Sequence, residues 1–583
     1  MRSSPDRLSI HAAPLVGLLL LFAGGIFDGW FSSSENEVDP VAVEQALQST
    51  LANTDSTGRV LVHGQRLELD PAVARLYASR EYAPLWATPA DRQLLIDALG
   101  AAPLHGISTE DVNSAETYRL SSRLERLNVE AREWQEGHAD PRPSILADLD
   151  ILLTEGVMRY AEALSGSRVD PKELFPGGWY AGSTSLSTMA VRTAVRAGSA
   201  ARIAEALRNL QPVHAEYSAL QQALARLRSA AHTWKPIPDG YPLSPGGRSI
   251  RVPYLRGRLG AFGYLNTEEV EQGWDASDVF LFDDQLAGAF NLFLEDRGLG
   301  ADSILTAVAT EVLNTDVSTL VETIEINLER WRWLPDDLGD MHVLVNLPSF
   351  ELDVRLPAEG GGYRDALTMP VVIGMVNAWN WTTPVMSDTI ESIVFHPSWF
   401  VPRSVQAGSL IPQARADSGT TLPMRGFDVY AGGAWVDPTM VDWDAALPGQ
   451  YQFVQRPGRG NPMGRIKFVM PNDNAIIIHD TNNRVHFDRP VRTFSNGCIH
   501  AGDAPALAHF LLSRTNGWDR ETVEAALSRG GQWVVPLDRP VPVHLLYFTA
   551  WAEPDGRLRI FNDVYGRDQR LRRTLGYDDD ALS

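Results

Sequence analysis

The chain has 583 residues, with 51 basic and 73 acidic side chains, a formal net charge of −22, and 44% apolar and 9% aromatic residues. That composition excludes a disordered chain and, at ~150 residues per domain, supplies several cores. The acidic excess argues against a general nucleic-acid binder, which holds phosphates with clustered Lys and Arg. One cysteine, Cys498, means no intrachain disulfide and no thiolate cluster for zinc or iron–sulfur. The lysines are three: Lys172, Lys235 and Lys467.

At the amino terminus, Arg2 and Arg7 precede an uncharged run from Ala12 to Phe27, 16 residues long. It is slightly long for a signal-peptide core and slightly short for a membrane span, and it is apolar on every face. Either a cleaved signal or a retained anchor exports the rest of the chain, so residues 1–40 read as leader and linker. From 41 to 248 the pattern is mostly helical. Ile145, Leu149, Leu152, Val157, Tyr160 and Leu164 keep to one helical face, ended by Asp170-Pro171, and a second helix starts at His214. The Pro- and Gly-rich TWKPIPDGYPLSPGGRS reads as a linker to a new helical unit over 249–335.

Beyond Pro335 the period changes. MHVLVNLPSFELDVRL, TMPVVIGMV and AIIIHD are strand-like runs, and 395–449 interrupts them with helix-like and Pro-rich material, a lid-like insertion within 336–540. In 541–583 Pro554-Asp555-Gly556 predicts a hairpin turn.

The only thiol lies in TFSNGCIHAGD, 19 residues after His479, which ends the predicted strand AIIIHD. A thiol of pKa about 8.5 needs a base or a positive charge to react near neutral pH, and His479 is the best candidate. Gly497 permits a tight turn, and the N–H groups of Gly497 and Cys498 would then face an oxyanion. Two blander readings stand beside this: a lone cysteine is ordinarily core, and His479, His486 and His500 are a weak metal constellation without an H-E-x-x-H motif. A serine transpeptidase with S-x-x-K is excluded, because Val169, His232 and Gly464 stand three places before the lysines.

With the cysteine loop and the upstream histidine in hand, residues 342–512 resemble the L,D-transpeptidase (YkuD-type) catalytic domain. LYASREYAPLW at Leu76–Trp86, NLERWRWLP at Asn327–Pro335 and RPGRGNPMGRIKF at Arg456–Phe468 extend the likeness to the large YcbB-type murein L,D-transpeptidases. The unit over 249–335 resembles the small three-helix peptidoglycan-binding domain through Leu255, Leu259, Phe290, Phe293, Gly298, Leu299, Asp302, Leu313 and Asn314. Ser303 and Thr306 stand where that family has glycines, and Leu294 where glutamine is common.

The resemblance implies a multidomain α+β chain: a helical scaffold, a peptidoglycan-binding-like domain and a mainly β catalytic domain. It implies Cys498 as nucleophile, His479 as general base, the Asp480 carbonyl as orienter of the imidazole, and Ser495, Asn496 and Gly497 as shapers of the loop. Asn496, His500 and Gly502 depart from the family pattern and bear on how substrate carboxylate is held. Trp399, with Trp443, lines a stem-peptide cleft or belongs to a core; Arg465 and Lys467 attract carboxylates or form a solvated face. The implied reaction is a 3→3 cross-link between peptidoglycan stem peptides through a Cys498 thioester, in the cell envelope, with no cofactor or metal and with acylation by carbapenems. The alternatives are an L,D-carboxypeptidase or amidase on the same fold, and a wall-binding scaffold protein whose catalytic domain has decayed.

Overall fold

A computed structural model describes residues 38–53, 59–130, 140–166, 168–176, 178, 188–274, 278–359, 361–376 and 381–577. The apolar run Ala12–Phe27 lies outside the described residues. No described helix is long and apolar enough to cross a membrane.

The chain divides into two compact units. The first takes in the described residues of 1–84 and 118–151. Its first described helix, Pro40–Ala52, is capped by the Asp39 carboxylate and carries proline in its first turn. A small hairpin, Arg59–Val62 with Gln65–Glu68, turns at His63-Gly64, both with positive φ. In the helix Pro71–Ser79 the Tyr77 hydroxyl bonds the Asp150 carboxylate at 2.5 Å.

The second unit holds the described residues of 85–117 and of 152–583. The helix Arg142–Leu164 is buried almost all round, not along one face, and it stops at Leu164. Asp170 instead caps the short helix Pro171–Leu174. Among the described residues five helices span 252–331 where the resemblance implies three: Val252–Ala261, Thr267–Trp274, Asp284–Asp296, Ala307–Leu313 and Val317–Trp331. Their core is continuous with Leu220, Leu224 and Leu227 of the helix Ala215–Ala230 and with Trp551 and Leu558 of the hairpin Ala550–Ala552/Leu558–Ile560. A division at 248 therefore runs through one shared core. The segment between is pinned: Asn314 bonds both N–H and C=O of Ile237, and the Arg258 guanidinium stacks 3.3 Å over the Trp234 ring. Ser303 adopts φ +53°, a conformation glycine takes freely, and its hydroxyl bonds the Ala287 carbonyl; Thr306 caps the helix from Ala307.

Nine strands among the described residues form the main sheet of this unit: β1 His342–Asn346, β2 Glu351–Pro357, β3 Tyr363–Gly374, β4 Met386–Phe395, β5 Ile466–Val469, β6 Ile478–His479, β7 Thr493–Ser495, β8 Ile499–Ala501 and β9 Trp533–Leu546. The order is β7-β3-β8-β6-β5-β4-β9-β1-β2, and β2 pairs again with β3, so the sheet closes on itself. Closure removes the free edges of every strand but β7, which pairs with β3 alone among the described residues. Alternation sends Val343, Val345, Leu352, Ile393, Ile466, Phe468, Ile478 and Ile499 into one core with Leu507 and Leu511 of the helix Ala504–Thr515. β9 crosses residue 540 and pairs in parallel with β1 through Val543↔Val343, so the strand-like tail contributes to the sheet itself.

The insertion is longer than 395–449. Phe395 and Ile466 are paired neighbours in β4 and β5, so residues 396–465 leave and re-enter a single antiparallel step. They carry their own four-stranded sheet, Trp399–Phe400, Gln452–Gln455, Phe427–Ala431 and Ala434–Val436, and a core of Leu410, Ile411, Phe427, Val429, Trp443 and Phe453. Asn461 stitches its two ends, donating to the carbonyls of Pro397 and Gln455.

Candidate active site

Strands β5, β6 and β8 are neighbours, with Lys467 opposite His479 and His479 opposite His500. Because Ile466, Phe468, Ile478 and Ile499 face the core, the period of two places Lys467, His479 and His500 on the other face, and Cys498, two residues before His500, on that face too. Ile499 N–H bonds the Ile477 carbonyl at 3.0 Å, which locks the residue after the thiol to the strand that ends in His479.

β7 and β8 flank β3 on opposite sides, so the loop 495–498 must cross the end of β3 at Gly374. A Cβ on Gly374 would lie 3.0 Å from Gly497 Cα and overlap the Trp381 carbonyl; the crossing needs glycine there. Gly497 itself has φ +110°, which a side chain rarely tolerates. The Ser495 hydroxyl then closes the loop, donating to the Cys498 carbonyl at 2.5 Å and accepting from Gly497 N–H at 3.1 Å. Behind it, the buried Thr383 hydroxyl accepts from Gly374 N–H and donates to the Gly497 carbonyl, and the Tyr565 hydroxyl donates to the Gly374 carbonyl at 2.5 Å.

This geometry corrects the expected oxyanion hole. Gly497 N–H is spent on Ser495 Oγ, whereas Cys498 N–H has no acceptor among the described residues.

His479 is buried, and its Nδ1 lies 2.5 Å from the Asp480 carbonyl. A carbonyl only accepts, so Nδ1 carries the hydrogen and Nε2 of the neutral ring is the free base. Burial pulls the imidazole pKa down to about 4, against the raising effect of that carbonyl. Burial also pushes the half-buried Cys498 thiol up, opposed by the hydrogen bond from Ile477 and by the charge of Lys467. The resting pair is therefore thiol and neutral imidazole rather than a standing ion pair. The Asp480 carboxylate does something else: it accepts from Arg465 N–H at 2.9 Å and pairs with Arg484, and Gly464 passes so close that a Cβ would meet it at 2.5 Å.

The His500 ring lies 4.6 Å from that of His479, its Nδ1 buried without a partner among the described residues, and its pKa is held well below normal first by burial and then by His479 and His486. His486 stacks on Phe494. Gly502 packs so that a Cβ would meet the Pro370 carbonyl at 2.6 Å, a steric reason for glycine at this position, and Arg484 donates to its carbonyl. Asn496 and Arg465 are exposed. Trp399 packs on Phe427 and the insertion's core, and Trp443 is buried there with its N–H on the Pro438 carbonyl. Neither tryptophan has a ring contact or hydrogen bond to Cys498 or His479. No group of three His, Cys, Asp or Glu among the described residues has a metal-holding arrangement. Sequence reasoning missed Thr383 and Tyr565, which act through hydroxyls reaching back to the loop from distant segments and leave no local spacing.

Residues 340–527 match the family model for the L,D-transpeptidase catalytic domain, and residues 71–224 match that for a scaffold domain. The stretch 340–527 is an L,D-transpeptidase catalytic domain. Over 528 residues the chain is 24% identical to a Haemophilus influenzae protein named "Putative L,D-transpeptidase", covering 90% of this chain and 83% of that one. A crystal structure of the L,D-transpeptidase (residues 123–326) from Xylanimonas cellulosilytica matches at 11% identity and a TM-score of 0.16, over 53% of this chain and 98% of that one. The L,D-transpeptidase domain carries both Cys498 and His479.

Proposed function

We propose that this protein forms 3→3 cross-links between peptidoglycan stem peptides with Cys498 as nucleophile. The observation that carries the reading is the imidazole tautomer: the Asp480 carbonyl leaves His479 Nε2 unprotonated on the strand beside the thiol. His479 takes the thiol proton as sulfur attacks the carbonyl of the diaminoacyl residue at position three of a tetrapeptide. The C–N bond to D-Ala breaks, and its amine leaves with the proton from His479. A side-chain amine of a second stem then attacks the thioester, giving its proton to His479, and the thiol is restored. The Cys498 N–H would stabilise the oxyanion in both halves.

The reading includes export through the apolar run at 12–27, as signal or anchor, and acylation of Cys498 by carbapenems. Incubation with purified tetrapeptide muropeptides tests it: 3→3 dimers are expected. Tripeptide monomers without dimers would assign water as acceptor and make the enzyme an L,D-carboxypeptidase. Sacculus binding that survives Cys498→Ala, with no thioester in the wild type, would make it a wall-binding scaffold.

A further inference from the structure

We propose that the ammonium of Lys467 is the counter-charge of the Cys498 thiolate, a positioning residue that sets how readily the sulfur ionises. The inference rests on Cys498 being the nucleophile, and it concerns a residue whose charge the thiol–imidazole pair alone does not require.

The geometry comes from strand register. Lys467 sits directly opposite His479, His479 directly opposite His500, and Cys498 precedes His500 by two residues on the same face. The lysine is half-buried, and among the described residues its ammonium has neither an ion pair nor a hydrogen bond. A solvated-face lysine in a chain with 73 acidic residues would be expected to find a carboxylate more easily than a thiol. The chain has two other lysines and 583 positions on which to place them, and one of the three lies here.

The remaining charges around the sulfur are accounted for element by element. β6 contributes His479, held neutral by burial, and Asp480, whose carboxylate is engaged by Arg465 N–H and Arg484. β8 contributes His500, also held neutral, with His486 beyond it. The loop that brings the Ala475 carbonyl 3.9 Å from Sγ carries the exposed Asp473. On the opposite side Gly374 and the Trp381 carbonyl approach Gly497, and the sequence from 374 to 383 has no titratable residue. Arg465, two residues before Lys467, is exposed, which leaves Lys467 among the described residues as the half-buried cation beside the thiol. The influence is mutual: burial lowers the lysine pKa, the thiolate raises it, and the ammonium lowers the pKa of both the thiol and His479. By disfavouring imidazolium, the same charge keeps Nε2 available as a base.

The test is the rate of Cys498 alkylation by iodoacetamide from pH 5 to 11, on the full chain, for wild type, Lys467→Met, Lys467→Gln and Lys467→Arg, with thermal unfolding measured alongside. The expected result for Met and Gln is a titration displaced upward by about one pH unit, so that alkylation at pH 7.5 falls about tenfold while rates converge above the displaced titration. Arg restores most of the loss. Superimposable profiles for wild type and either folded neutral variant, or a uniform fall at every pH, would overturn the proposal. Alkylation needs no cross-linking activity, so these outcomes are separate from a failure to make 3→3 dimers. A wild-type thiol inert at every pH would overturn the role of Cys498 and this proposal together.

Discussion

His479 donates its Nδ1 hydrogen to the main-chain carbonyl of Asp480, 2.5 Å away, and this one bond leaves Nε2 as the unprotonated ring nitrogen. Because the acceptor is main chain, no side-chain substitution at Asp480 removes it directly. The base itself is removable: His479→Ala is expected to lower the rate of acyl transfer by about 10²–10⁴ with the unfolding midpoint little changed, measured by muropeptide turnover and thermal denaturation. Turnover near wild type would remove His479 from its role.

Thr383→Val keeps shape but deletes the hydroxyl shared by Gly374 N–H and the Gly497 carbonyl. Two buried polar groups lose a partner, so a loss of about 1–3 kcal/mol is expected in chemical denaturation. Acylation of Cys498 should slow as well, since the Gly497 carbonyl is the anchor of the loop beside the sulfur. Full stability together with full acylation would show that the hydroxyl is dispensable.

What is legible in the sequence divides from what is not along a physical line. Cys498, His479 and the strand-like runs announce themselves locally, through residue type, spacing and period. The closed sheet does not, because it depends on β3 pairing with β2 at one end and with β8 at the other. The hairpin at Arg59–Glu68 is silent because its strands are four residues each and its turn is His-Gly rather than Asn-Gly. The insertion's end at 465 is hidden because Gln452–Gln455 pairs inside it, so strand pattern resumes before the main sheet does. At the site, the sequence leaves Gly497 N–H free to face an oxyanion; only the rotamer of Ser495 shows that it is occupied.

Acid stability depends on histidines buried in the neutral state. Burial holds His105 at about 3 and His342 and His479 at about 4, and it lowers His214, His500 and His544 as well. The unfolded chain binds protons at these rings near pH 6.5 and the folded chain does not, so stability is full above pH 6.5 and is lost as pH falls toward 4. For His342, fully buried, the loss is on the order of 2 kcal/mol. Unfolding midpoints measured from pH 8 to 4 should drop steeply below 6.5; a flat profile would contradict the neutral assignment.

Asp353 has the opposite sign. Burial, then the neighbouring carboxylate of Asp365, raises its pKa to about 7, while the Thr368 hydroxyl donates to it. Between the ordinary carboxylate pKa and 7 the folded state holds the extra proton, so stability declines as pH rises through that window. Asp353→Asn, which still accepts from Thr368, should stabilise the protein by roughly 1–2 kcal/mol at pH 8 and leave it unchanged at pH 4. Destabilisation at pH 8 would contradict the assignment.

Intact mass after exposure to a carbapenem, with peptide mapping of the adduct, reports whether the half-buried sulfur of Cys498 is nucleophilic. One covalent adduct is expected, located on Cys498 and absent from Cys498→Ala. No adduct, or an adduct elsewhere in the chain, would contradict it.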